Sequence, residues 1–260
     1  GLFEDAGAYK KLAHLLNEID TEFGLCSNKL FYLAVPPAFY ERIFHHLALS
    51  GLTIPCGPGE GWTRVLVEKP FGRDVASASR LDNLLGTLFQ EEQIFRIDHY
   101  LAKEAMQNIL SFRFSNVLFE PIWNSHYIEG VDIKLFETLG VEGRGAFYDD
   151  TGALRDVGQN HVLQMLAFIA MENPNVLEAG AVRKERARLL HSLKPIGEKD
   201  IGKATIRAQY KGFKKEKSVS PASTTETYFR LEAYVENERW KGVPFILESG
   251  KKMKEAKTEI

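Results

Sequence analysis

Apolar positions along the chain fall into distinct kinds of run, and each kind predicts a different element. Lys29-Leu-Phe-Tyr-Leu-Ala-Val35 is almost unbroken and stops at Pro36-Pro37, the form of a strand buried on both faces of a parallel sheet. Thr63-Arg-Val-Leu-Val-Glu68 repeats that form and ends at Lys69-Pro70-Phe71-Gly72. Between them Phe39, Ile43 and Leu47 recur at i, i+4 and i+8, which predicts a helix over 39–49. Strand, helix, strand then reads as a right-handed crossover. Leu12, Leu15, Leu16 and Ile19 predict an amphipathic helix over 8–19 whose apolar stripe needs a partner. Two further helices are expected over 75–89 and 100–110.

Beyond residue 97 the pattern changes. Residues 131–137 and 227–235 alternate with period two, as strands of an antiparallel sheet with one covered face do. Helices are expected over 154–171 and 181–193, and a strand over 243–247. The Lys-rich and Ser/Thr/Pro-rich stretch 204–223 reads as a strand end and a solvated loop. The boundary is therefore placed near Ile97, with an α/β part at 1–97 and an α+β part with a mainly antiparallel sheet at 98–260.

With 260 residues, 44% of them hydrophobic, the chain has material for a sizeable core. Lys+Arg 33 against Asp+Glu 35 leaves a net charge of −2, so no global field draws it to nucleic acid or an anionic membrane, and an anion site must be a local cluster. Cys26 and Cys56, the two cysteines, suit a reducing compartment and read as buried small hydrophobes. No apolar run approaches the ~18 residues of a membrane span. The chain opens without Met or a signal-like segment, and both of its ends read as cut from something longer.

Candidate chemistry is concentrated in a few places. Gly57-Pro-Gly-Glu-Gly61 is not a dinucleotide fingerprint: it precedes a strand, and Trp62 stands where the third glycine belongs, so a plain turn is expected. In Arg96-Ile-Asp-His-Tyr-Leu-Ala-Lys-Glu104, an Asp98 cap would bring His99, Tyr100 and Lys103 together at a helix N-terminus, where an anion could bind or where a capped surface helix could simply end. His161 sits in Arg155-Asp-Val-Gly-Gln-Asn-His161 ahead of a strongly apolar stretch, as a core histidine or a proton acceptor. Gly158 within that helix hints at a close approach to the backbone. Glu137 closes the apolar face of Val131, Ile133 and Leu135, so its carboxylate must be paired or used. No His or Cys spacing suggests a metal site.

Glu68-Lys-Pro-Phe-Gly72, the 96–104 and 155–161 segments and Tyr234-Val-Glu-Asn-Glu-Arg-Trp-Lys-Gly-Val-Pro-Phe245 stand in the order and spacing of the glucose-6-phosphate dehydrogenase family, which the chain resembles over essentially its whole length. The resemblance implies a remnant of a Rossmann-like NADP-binding domain at 1–97 and part of a substrate domain at 98–260. It implies oxidation of glucose 6-phosphate at C1 to 6-phosphogluconolactone with hydride transfer to NADP, the first step of the pentose phosphate pathway. It makes His161 the general base and Asp98 the carboxylate that orients it. His99, Tyr100 and Lys103 become the sugar-phosphate site, Glu137 and Asp156 partners of sugar hydroxyls, and Lys251 a substrate lysine. Lys69 falls between coenzyme and substrate, Pro70 is the family's cis proline, and Tyr40 is a coenzyme contact of some members.

Two departures stand out. Ala102 replaces a usual glycine, and Ala256 stands where many members carry a basic residue, with Lys254 and Lys257 nearby to replace it. The family's N-terminal Gly-rich turn and its last strands and helices have no counterpart here, so the chain reads as an internal fragment that is inactive alone. The family further implies a cytoplasmic enzyme that forms homodimers or homotetramers and binds neither nucleic acid nor membrane. Competing readings are a non-catalytic sugar-phosphate-binding module and a dehydrogenase using NAD or other hexose phosphates.

Overall fold

The computed structural model describes residues 2–57, 59–72 and 74–260 and divides into two units, Gly1–Asp98 and His99–Ile260. The first contains α1 (Ala6–Phe23), β1 (Lys29–Leu33), α2 (Tyr40–Leu49), β2 (Thr63–Val67), α3 (Val75–Leu88) and β3 (Ile94–Arg96). Its strands form a parallel sheet in the order β1-β2-β3. Leu33, Val65 and Val67 share the packed face, which is covered by Tyr40, Ile43, Phe44 and Leu47 of α2 and Leu81 and Leu85 of α3. The opposite face is not covered as the unbroken apolar run suggests, since Leu30 and Tyr32 are 53% and 56% exposed. α1 matches its amphipathic pattern, yet Leu12, Leu15 and Ile19 remain exposed and only Tyr9, Ala13 and Leu16 lean on the core.

Local signals fix the ends of these elements. Asp74 and Ser77 form a reciprocal capping box at the start of α3, each side chain accepting the other's backbone N–H. β3 is too short for a periodic signal; its register is set by Gln93, whose buried side-chain amide donates to Thr53 O (2.8 Å) and Thr63 O (3.0 Å). The cysteines correct the sequence reading: Cys26 is half-buried, Cys56 is exposed, and the two are joined as a disulfide across a Cα–Cα distance of 6.3 Å. Of the turn read at 57–61, Pro58 lies outside the described residues; a Cβ on Gly61 would fall 2.4 Å from Cys26 O, so glycine is required there.

The second unit runs α4 (Glu104–Phe114), β4 (Val131–Phe136), α5 (Gly145–Ala153), a π-helical run Leu154–Val162, α6 (Leu163–Ala170), α7 (Ala179–His191), α8 (Ile201–Ala204), β5 (Thr205–Ala208), β6 (Tyr228–Ala233), β7 (Phe245–Gly250) and β8 (Lys257–Glu259). The sheet order is β5-β6-β7-β4-β8. It is mixed: β4 and β7 are parallel, whereas β5–β6, β6–β7 and β4–β8 are antiparallel. Alternation along β4 had shown one covered face but not the direction of its neighbour, which depends on the long connection. Ile133, Leu135, Phe229 and Leu247 pack there with Val162, Met165 and Leu166.

Three local expectations change. The helix foreseen over 154–171 is π-helical up to Val162, with the Leu163 N–H donating to Gly158 O, five residues back. The approach inferred at Gly158 is real: a Cβ there would lie 2.8 Å from Phe229 Cζ. The stretch 204–223 is no solvated loop throughout, because Phe213 and Val219 are buried in the core, and the charged tail supplies an edge strand, β8.

Candidate active site

Where the chain enters the second unit, Tyr100 lies against His161, with ring centroids 3.9 Å apart and planes tilted by 32°. His99 meets both, at 5.1 Å from each ring, edge-on to His161. Lys103 Nζ stands 3.6 Å from the Tyr100 ring centroid, a close cation–π contact. His161 is buried, and it arrives from the π-helical run while the other three come from the turn before α4.

That turn corrects the capping expectation. α4 begins at Glu104 with Lys103 as its N-cap residue, and Lys103 makes no side-chain cap. Asp98 is therefore not the cap; it is the last residue of the first unit. Residues 99–103 are turned instead so that the Tyr100 ring meets His161. Lys103 stands at the positive end of the 11-residue α4, where Glu104 is the acidic residue of the first turn, and with His99 and Tyr100 it makes a corner of side chains that could take an anion.

Glu137 and Lys251 are brought together by strand register. β4 and β7 run parallel with Phe136 opposite Gly250, so the residues that follow each strand emerge side by side. Lys251 Nζ donates to Glu137 Oε2 at 2.6 Å. The lysine side chain is 3% exposed and the carboxylate 40%, so one end of the pair is sunk and the other open. Asp156 and His161 are five residues apart. In an α-helix that spacing would set them about 140° apart, whereas an i→i+5 register brings them towards one face. Burial raises the Tyr100 phenol pKa, and the charges of Glu137 and Asp156 push it further the same way, so the hydroxyl stays protonated as a donor.

Tyr148 was not singled out by spacing or motif. Its hydroxyl is buried, with no hydrogen-bond partner among the described residues, and Lys251 Nζ lies 5.3 Å from its ring centroid. Burial, then Asp156 and Glu137, push its pKa strongly upward. It sits on α5, a short helix with no clear apolar periodicity, so no sequence signal marks it.

In the first unit, Lys69 and Pro70 follow β2 at the carboxyl end of the parallel sheet, and the bond between them is cis. Tyr40, expected to touch coenzyme, is a core residue only 1% exposed. Its hydroxyl donates to Glu68 O at 3.1 Å, beneath the Lys69-Pro70 turn, and burial pushes its pKa up to about 12. Among the described residues, the grouping with metal-ligand spacing is Asp20, Cys26 and Cys56, but the sulfurs are bonded to each other and Lys29 Nζ holds the carboxylate at 2.7 Å. No helix among the described residues is long and apolar enough to cross a membrane.

Residues 1–108 match the family profile described as "Glucose-6-phosphate dehydrogenase, NAD binding domain", and residues 110–260 the profile "Glucose-6-phosphate dehydrogenase, C-terminal domain". The chain is 44% identical to glucose-6-phosphate 1-dehydrogenase of Aggregatibacter actinomycetemcomitans over 98% of its own length and 53% of that protein's. It is 40% identical to the Bacillus subtilis protein of the same name, again over 98% and 53%. A solved glucose-6-phosphate dehydrogenase in complex with its substrate glucose-6-phosphate superposes with a TM-score of 0.88 at 34% identity, covering 99% of this chain and 53% of that one. The glucose-6-phosphate 1-dehydrogenase of Mycobacterium avium gives 0.83 at 36% identity, covering 96% and 52%. The chain thus spans about half the length of the curated relatives it matches. On these matches over both units, the chain belongs to the glucose-6-phosphate dehydrogenase family.

Proposed function

We propose that the protein oxidises glucose 6-phosphate at C1 to 6-phosphogluconolactone, with NADP as coenzyme. The observation that carries this reading is the buried His161 held against Tyr100, beside the corner formed by His99 and Lys103. A proton acceptor next to an anion site is what a phosphorylated sugar alcohol requires.

His99, Tyr100 and Lys103 take the phosphate, at the positive end of α4. Glu137, on the open side of its pair with Lys251, and Asp156 accept hydrogen bonds from sugar hydroxyls, and Lys251 donates to one. The His161 imidazole accepts the C1 hydroxyl proton, a task suited to a group whose free pKa is about 6.5. Asp98 is assigned, on the family resemblance, to orient that imidazole and offset its positive charge. A nicotinamide coenzyme held by the first unit would supply the hydride acceptor for C1. The first unit suits it: Lys69 and Pro70 lie at the carboxyl end of a parallel sheet, where such ligands bind, and Tyr40 holds the backbone under them. Use of NADP rather than NAD, a cytoplasmic location and assembly into dimers or tetramers belong to the same reading.

The test is steady-state kinetics of the full-length protein with glucose 6-phosphate and NADP. His161→Asn is expected to lower kcat by ~10²–10⁴-fold, the scale of general-base loss. Lys103→Ala is expected chiefly to raise KM for the sugar phosphate. A His161→Asn protein with near-normal kcat would overturn the base, and an unchanged KM in Lys103→Ala would overturn the phosphate site.

A further inference from the structure

The π-helical run that carries Asp156 and His161 is held at its start and in its middle by one short segment at the beginning of β6. Just before β6, Glu226 is 9% exposed, and its Oε1 accepts the Leu154 N–H at 3.0 Å, the first orphan donor of the run. Its own carbonyl accepts the Ala153 N–H at 2.9 Å. The backbone is shaped to admit the carboxylate: Gly152 has φ +76°, and a Cβ there would lie 2.5 Å from Glu226 Oε1. Three residues on, Phe229 closes on Gly158 in the middle of the run. Between them the Thr227 carbonyl accepts the Lys251 N–H at 2.9 Å.

We propose that Glu226 is a positioning residue for the oxidation: by capping Leu154 it starts the run in the π register that brings Asp156 and His161 towards one face. The inference rests on the function proposed above and adds a residue that the family motifs did not mark. The register needs such support, because i→i+5 bonding is rare and each departure from i→i+4 leaves a carbonyl to satisfy. Asn160 meets part of that need, with Nδ2 donating to Arg155 O (3.2 Å) and Asp156 O (3.3 Å). At the start the need is the opposite one, for an acceptor: Glu226 takes the Leu154 N–H and so fixes where the run begins, and a carboxylate there also complements the helix dipole. Relaxation to i→i+4 over the seven residues from Leu154 would rotate His161 by roughly a quarter turn, out of its contact with Tyr100. Loss of the cap should therefore affect the chemical step more than substrate binding, most of which falls to the phosphate corner.

The experiment compares Glu226→Ala, Glu226→Asp and Glu226→Gln in the full-length protein. Kinetics are normalised to the number of glucose 6-phosphate sites counted by calorimetry, and hydrogen exchange is followed in peptides covering 153–163. The alanine variant is expected to lose ~10–100-fold in kcat per site with KM changed by less than ~5-fold, and to exchange ~10-fold faster within 153–163 alone. Asp, which keeps the charge but falls short of Leu154, should show the same losses in smaller measure. Gln, which keeps an acceptor oxygen, should restore both to within ~3-fold of wild type. Unchanged kcat and exchange in the Ala and Asp variants would overturn the proposal. So would Gln and Ala variants that are equally impaired, or exchange that accelerates throughout the second unit. If the wild type fails to oxidise glucose 6-phosphate, the functional reading falls, and the exchange pattern still decides the role of Glu226.

Discussion

The rings of Tyr100 and His161, 61 residues apart in sequence, have centroids 3.9 Å apart and planes tilted by 32°, so the candidate base is oriented by a residue of the candidate phosphate site. Binding and proton transfer thereby share one side chain. Tyr100→Phe keeps the ring and removes the donor: KM for glucose 6-phosphate should rise about 5–20-fold with kcat within ~3-fold. Tyr100→Ala removes the ring as well and should lower kcat by ~10–100-fold. Equal kcat in the two variants would show that the ring does not orient His161.

The Glu137–Lys251 pair predicts an asymmetry in stability. Glu137→Gln leaves a sunken ammonium without its counter-charge and should cost about 1–3 kcal/mol in urea unfolding. Lys251→Met leaves a carboxylate that is already partly in water and should cost less. Both substitutions should raise KM, so unfolding is the measurement that separates them.

Asp20 gives a pH-dependent stability. Hydrogen bonds from Lys29 first, and from Ser27, pull its carboxyl down to about 2 in the folded state, below its ordinary value of about 4. A depressed folded pKa adds stability that is complete above the unfolded value and is lost as pH falls through about 2. Asp20→Asn should therefore lower the urea midpoint at pH 7, and wild type and variant should converge towards pH 2. A constant gap across that window would show that the carboxylate's ionisation contributes nothing.

Gly158 and Phe229 should be energetically coupled. Gly158→Ala would gain up to ~1 kcal/mol of helix propensity, but its methyl would overlap the Phe229 ring, and net destabilisation of ~1–3 kcal/mol is expected. Phe229→Leu makes room for that methyl. The double variant should be more stable than the sum of the single losses by ~1 kcal/mol or more, read from a denaturation cycle.

Much of this was legible in the chain because strong periodicity and local signals coincide. The strand read at 63–68, the helix read over 75–89 and the parity of Glu137 with Ile133 and Leu135 are all local, and each appears where the pattern placed it. What escaped depends on partners distant in sequence. The direction of β7 beside β4 follows from a long connection, and the π register follows from Glu226 and Phe229, neither of which lies near Asp156 in sequence. The cap assigned to Asp98 was mistaken because a long-range ring contact prevailed over a favourable capping residue. The pairing of Cys26 with Cys56 depended on a turn at Gly61, which lets two loops of the first unit approach.

The parallel register of β4 and β7 also orders events in time. Glu137 leaves the ribosome 114 residues before Lys251, an interval of roughly 5–25 s at ordinary rates of synthesis. Through that interval β4 has no β7 to pair with, and the Glu137 carboxylate has no ammonium beside it. The Glu137–Lys251 salt bridge therefore cannot form until 114 residues after Glu137, so premature termination anywhere between them yields a polypeptide with His99, Tyr100 and Lys103 encoded and the Glu137–Lys251 pair missing.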